Sequence, residues 1–210
     1  MEFELSLFSQ SAWEVLAEIL EKRLAQAHAL SEEDLRHCVV EALESLGMSP
    51  TGAIRLNFEH PAFRGKKIDI FLPSFCGQDA IACELKYDRE IPSGRNQPTS
   101  MKAGSILNDV LRLAHFSTTT PVERFLIYLS DGEMLGYLRN PANGFSSLFE
   151  EEEGSCLAIK AAFFTRKAKS VLKMIKVPVV ECAAFRVLDR SVGNDHRLLV
   201  IFVRSDIESK

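Results

Sequence analysis

Apolar positions in the first fifty residues recur at helical spacing. Trp13, Leu16, Ile19, Leu20 and Leu24 fall on one face and predict a helix over about 11–29. Ser31 then precedes three acidic residues, Glu32, Glu33 and Asp34, a composition that suits an N-cap and the positive end of a helix. Leu35, Cys38, Val39, Ala42, Leu43 and Leu46 give this second helix its apolar stripe, and Gly47 its stop.

Beyond residue 52 the period shortens towards two. Residues 53–58, 66–72 and 80–87 read as short strands separated by Pro and Gly. A loop rich in Pro, Gly, Ser and Asn covers 91–100, and a third helix is predicted over about 100–116, with Ile106, Leu107, Val110, Leu111 and Ala114 inward. Lys102, Ser105, Asp109 and Arg112 also recur at helical spacing and read as its solvent face. Residues 124–129 suit a buried strand, with 134–138 returning beside it, and the acidic run 150–153 suits a solvated loop. The chain is expected to close with a helix over about 165–176 and strands over 179–188 and 197–203, joined by a turn containing Gly193, Asn194 and Asp195. The order of elements is that of a mixed α/β domain, without internal repeats.

Composition narrows this further. With 210 residues, 46% of them hydrophobic, one domain can bury enough apolar surface to stand without disulfides or structural zinc. Cys38, Cys76, Cys83, Cys156 and Cys182 are odd in number and lack metal-ligand spacing, so they read as reduced thiols of a cytoplasmic protein. No apolar run nears the roughly 18 residues of a membrane span. Glu2 and Glu4 stand where a secretory signal carries basic residues, so neither export nor a membrane partner is expected. The net charge of −4 argues against a uniformly basic, polyanion-binding surface. Locally, however, Arg64, Lys66, Lys67, Arg89, Arg95 and Lys102 make a basic excess that could orient a phosphate backbone.

That excess surrounds the most informative stretch. If 66–72 and 80–86 form a hairpin centred between Cys76 and Gly77, paired positions sum to 153, and Asp69 faces Glu84. Their Cβ atoms would lie about 5 Å apart. Lys86 shares their face. Ile68, Ile70, Leu72, Ile81, Cys83 and Leu85 take the opposite face, so hydrophobic alternation supports the register independently of the charges. The three charges could be a wet hairpin face, but Phe71 and Ala82 on the same side imply partial cover. Facing carboxylates repel unless neutralised; a hard divalent cation would do this, and an ammonium beside it could steer or deprotonate water.

Asp69 followed by Glu84-Leu85-Lys86 at the end of the next strand resembles the PD-(D/E)XK nuclease superfamily. Ile68 stands where the family pattern has proline. The resemblance runs from about Ser31 to Leu129, in the order acidic helix, strand, Asp strand, Glu-x-Lys strand, helix, strand. It implies a restriction-endonuclease-like mixed sheet flanked by helices within one nuclease-like domain. The core would be about 31–129, with an N-terminal helix in 1–30 and an added helix and hairpin in 150–210. It further implies Mg2+, with Mn2+ as a substitute, held by Asp69, Glu84 and the Leu85 backbone carbonyl, and hydrolysis of nucleic acid, DNA being the expected polymer. Lys86 would position or activate the attacking water. A helix carboxylate often completes such sites, and Glu32 lies nearest the inward side of its helix, although its triplet equally suits a plain N-terminus. Lys66, Lys67, Arg95 and Lys102 are the candidate nucleic-acid contacts, with Gln97 in the neighbouring loop.

Two rival readings stand beside this one. The same fold could serve as a non-catalytic nucleic-acid- or protein-binding subunit, or the C-terminal helix and hairpin could build a homodimer. Phosphate-binding Gly-Lys-Ser/Thr loops and Gly-x-Ser-x-Gly elbows are absent from the sequence. The five histidines show no ligand spacing; His60, just before the Asp strand, is the one of interest.

Overall fold

Ser31 starts its helix by a reciprocal cap. Its hydroxyl accepts from the Asp34 amide at 3.1 Å, and the Asp34 carboxylate accepts from the Ser31 amide at 2.7 Å. In the computed structural model, which describes residues 6–26, 30–47, 52–75, 77–89, 97–149 and 155–205, this helix is α2, Glu32–Ser45. Gly47 ends it at φ 65°, donating to the Glu44 carbonyl at 3.0 Å. Helix α1, Leu7–Gln26, begins earlier than the periodicity predicts. The Ser6 hydroxyl accepts from the Ser9 amide, and the Glu123 carboxylate holds the Ser6 amide at 2.9 Å.

Among the described residues seven strands form one mixed sheet. They are β1 Arg55–Glu59, β2 Lys67–Leu72, β3 Ala80–Asp88, β4 Val122–Asp131, β5 Cys156–Ile159, β6 Cys182–Val192 and β7 His196–Ser205, in the order β1-β2-β3-β4-β7-β6-β5. Among the described residues only β3 and β4 run parallel, and the crossover between them carries helix α3, Thr99–Ala114. The sheet is covered on both sides. Phe125, Ile127 and Leu129 of β4 join a core with α1 and α2, whereas Leu126 and Tyr128 join a second core with α3. A strand buried on both faces reads as a continuous apolar run, which is why β4 was legible.

The C-terminal half departs from expectation in several places. Residues 134–138 are not a strand: the Asp131 carboxylate accepts from the Met134 amide at 3.3 Å and starts helix α4, Gly132–Arg139. Its buried residues, Met134, Leu135 and Leu138, have helical spacing. After a 3-10 turn, Pro141–Asn143, and the single turn α5, Ser146–Phe149, the sequence offered no sign of β5. Four residues are too few for periodicity to register. Of the helix expected over 165–176 only the single turn α7, Lys169–Leu172, is helical, and a separate turn, α6 Ala161–Phe164, lies before that range. Between them Lys167 reaches back to the Asn143 and Gly144 carbonyls at 3.0 and 2.9 Å and lies over the Phe163 ring. Helix α7 packs on α3 at Gly104, where an added Cβ would come within 2.5 Å of the Val171 carbonyl oxygen. The final hairpin turns at 193–195 as expected, with Gly193 at φ 62°, but its first strand starts at Cys182 and leaves Val179 exposed.

Cys38, Cys83 and Cys182 are buried, and Cys156 is exposed. Cys76, residues 91–96 of the expected loop (Arg95 among them) and the acidic run 150–153 lie outside the described residues. Among the described residues no helix is long and apolar enough to cross a membrane.

Candidate active site

The β2–β3 ladder pairs Ile70 with Cys83, Phe71 with Ala82 and Leu72 with Ile81, so each pair sums to 153. Asp69 and Glu84 come next, and there the regular ladder stops. Instead of a backbone carbonyl, the Asp69 side chain takes the Leu85 amide, with Oδ2 accepting at 2.9 Å. Asp69 therefore sits in the fork where the two strands part. Asn57 of β1 lies between the pairs Leu56–Ile70 and Phe58–Ile68 and adopts φ 51°. This local distortion interrupts the pleat. Ile68 of β2 joins the α3-side core rather than the α2-side core that holds Ile70, Leu72, Ile81, Cys83 and Leu85, a correction to the simple alternation.

Glu84 is fully buried beneath α3, and Arg112 donates to both its oxygens. Lys86 meets Asp109 at 3.2 Å, and Asp109 also lies 3.3 Å from Arg112. Farther along, Lys102 lies 3.9 Å from Asp88, whose carboxylate also accepts from the Tyr128 hydroxyl at 3.2 Å. The charged row of α3 thus faces β3 and not solvent, overturning the reading of Lys102, Asp109 and Arg112 as an outer face. The spacings explain the match: ten helical residues from 102 to 112 rise about 15 Å, and four strand residues from 84 to 88 about 13 Å. Opposite charges pair along this seam while α3 runs back against β3.

The other flank comes from α2. Arg36 lies 3.2 Å from Asp69 Oδ1 and also bonds Glu33. Glu33 faces His37 as well, at 3.5 Å, and so belongs to the outer side of α2. Glu32 turns towards the strands. Although the residue is exposed overall, desolvation of its carboxyl is the largest influence on it and raises its pKa. Lys86 and the Tyr87 amide oppose that rise, and Asp69 adds to it. These neighbours bring Glu32, Asp69 and Lys86 into one electrostatic group.

Protonation follows from these contacts. Burial drives the Glu84 carboxyl well above its ordinary value, with the Arg112 hydrogen bonds and charge acting against it. Burial alone would pull Lys86 down, but Asp109, Glu32 and Asp88 together outweigh it, and the ammonium ends above its usual pKa. Lys86 is therefore charged at neutral pH. It can donate to a water or a phosphate oxygen but does not rest as a base.

Of the proposed nucleic-acid contacts, Lys66 and Lys67 are exposed at the start of β2, with Lys67 paired across from Glu59. Lys102 is largely covered and held against Asp88, so it does not belong to an open basic surface. Arg64, Arg89 and Gln97 are exposed. His60 is a buried strut: the Ala62 amide donates to Nδ1 at 3.1 Å, so Nε2 carries the hydrogen and donates to the Arg112 carbonyl at 2.9 Å. Sequence reasoning missed Arg36, Asp88, Asp109 and Arg112 as members of the cluster. Arg36 could have been found, since it follows Glu32 by four residues on one helix face.

Glu32, Asp69 and Glu84 supply the hard oxygen donors that magnesium prefers, so the donor set fits such an ion chemically. Among the described residues no three His, Cys, Asp or Glu side chains converge as a ready-made cage. Both oxygens of Glu84 are engaged by Arg112, and one oxygen of Asp69 by Arg36. No family model, curated protein or solved structure matches this chain.

Proposed function

We propose that this cluster is the active site of a magnesium-dependent nuclease with a restriction-endonuclease-like fold, cleaving phosphodiester bonds of DNA. The carrying observation is the fork itself. Asp69 binds the Leu85 amide at the point where β2 and β3 separate, in the 153 register, with Glu84 and Lys86 on the adjoining strand. The succession α2, β1, β2, β3, α3, β4 supports the same reading, because it is the order the PD-(D/E)XK resemblance requires.

Asp69, Glu84, the Leu85 carbonyl and Glu32 would hold the ion, with Mn2+ able to replace Mg2+. Such an ion supplies a water of lowered pKa and offsets charge on the phosphate undergoing attack. The protein's own residues do the rest. Lys86, kept cationic by Asp109 and Glu32, orients the water or stabilises the developing phosphate charge. Lys66 and Lys67, exposed at the start of the Asp69 strand, steady the nucleic-acid backbone without selecting sequence.

A second reading has its own support. Arg36 and Arg112 already neutralise Asp69 and Glu84, so the cluster is electrostatically complete without a metal. A non-catalytic nucleic-acid- or protein-binding subunit would need no more. Cleavage of DNA and RNA with Mg2+ or Mn2+, compared among wild type, Asp69→Ala and Lys86→Ala, separates the two. Metal-dependent cleavage lost in both variants is expected of the nuclease. An inactive wild type that gives no calorimetric signal with either metal would leave the binding subunit as the better account.

A further inference from the structure

We propose that Arg112 is a cation exchanged for metal: it occupies Glu84 while the site is metal-free, and a divalent ion entering the site moves its guanidinium off Glu84 towards Asp109. The inference rests on the metal-site reading above and adds a gating residue to it.

Three observations carry it. Arg112 uses Nε and Nη2 to engage both oxygens of Glu84, so a metal ion and this guanidinium compete for the same lone pairs. Glu84 is completely buried, whereas the Arg112 side chain keeps 20% of its surface exposed and stands on the solvent side of the pair. An alternative partner is already in place one helical turn back, where Asp109 Oδ1 lies 3.3 Å from Arg112 Nη2. Lys86 meets the other oxygen, Oδ2, at 3.2 Å, so the Asp109 oxygen that faces Arg112 is not the one the lysine holds.

The displaced guanidinium retains its planar donor fork, the geometry suited to a phosphate oxygen pair.

The test is calorimetric titration of Mg2+ and Mn2+ into wild type, Arg112→Gln and Asp69→Ala, with exchange of the Arg112 Nε–H followed by NMR in wild type as Mg2+ is added. Without a guanidinium to displace, Arg112→Gln should bind metal about tenfold more tightly than wild type, and Asp69→Ala should bind poorly. In wild type the Arg112 Nε–H should be protected from solvent exchange at rest and lose that protection on Mg2+ saturation. Should Arg112→Gln not fold, the NMR measurement on wild type decides alone. Retained protection at saturation, or a folded Arg112→Gln with unchanged or weaker affinity, overturns the exchange while leaving the metal site standing. Absence of metal binding in every protein overturns both.

Discussion

Lys86 and Asp109 face each other at 3.2 Å across the seam between β3 and α3, and each is also the neighbour of a further charge. Asp109 lies beside Arg112, and Lys86 lies in the field of Glu32. The pair therefore links the two helices that flank the strand fork. Asp109 is the positioning residue of this arrangement, because it fixes both the place and the charge of the ammonium.

Asp109→Asn should leave Lys86 with a lower pKa, since burial is then opposed mainly by Glu32 and Asp88. Selective acylation of Lys86 followed against pH should show its midpoint moving down. Stability should fall by about 1–3 kcal/mol, read from urea denaturation, because a buried charge loses its partner. If acylation of Lys86 keeps its wild-type pH dependence, Asp109 does not set the lysine's charge.

Glu32 and Glu33 are adjacent in sequence but belong to different sides of α2. Glu32→Gln should weaken Mg2+ binding by roughly tenfold or more, as loss of a ligand or its close support does. Glu33→Gln should leave it nearly unchanged. Equal losses from the two substitutions, measured calorimetrically, would remove Glu32 from the metal site.

His60 gives the fold a pH dependence whose sign is fixed by its burial. Desolvation lowers its pKa below the ordinary value, against the opposing hydrogen bond to the Arg112 carbonyl. Above pH about 6.5 both folded and unfolded chains hold it neutral, and its contribution is constant. As pH falls through that value the unfolded chain takes up a proton the folded site resists, so stability declines until the folded-state pKa is reached. Denaturant midpoints between pH 7.5 and 5 should show this decline, and His60→Gln should shrink it.

Gly104→Ala should destabilise the protein by about 1–3 kcal/mol, because its Cβ would collide with the Val171 backbone and force α7 away from α3. Gly136→Ala, where a Cβ meets nothing within 4 Å, is the matched control. Thermal or urea unfolding of the two variants measures the difference. Similar stability in both would mean that α7 does not bear on α3 as described.

Local patterns made the first half of the chain readable. Ser31, the stripe from Leu35 to Leu43 and the alternation of β2 and β3 are each carried by neighbouring residues, so the helix and the 153 register follow from them. The site was only half visible for the same reason. Asp69, Glu84 and Lys86 lie on paired strands, and pairing can be computed from sequence, but Arg112 reaches Glu84 only through the placement of α3. Polar spacing on that helix was ambiguous: a row of charges looks the same whether it faces water or an oppositely charged strand. The C-terminal errors have a different origin. Residues 134–138 are apolar enough for a strand until Asp131 caps them into a helix, and the break between α6 and α7 depends on Lys167 reaching carbonyls more than twenty residues away.

The contact between His60 and the Arg112 carbonyl separates what is fixed in this site from what can turn. The turn between β1 and β2 fastens the main chain of Arg112, yet nothing in that contact restrains the guanidinium. Any change of partner at Glu84 can then proceed by rotation about side-chain torsions, a faster class of motion than hinge closure or helix displacement. The backbone of α3 acts as a fixed pivot, and the site can alter its occupancy without altering the shape of the molecule.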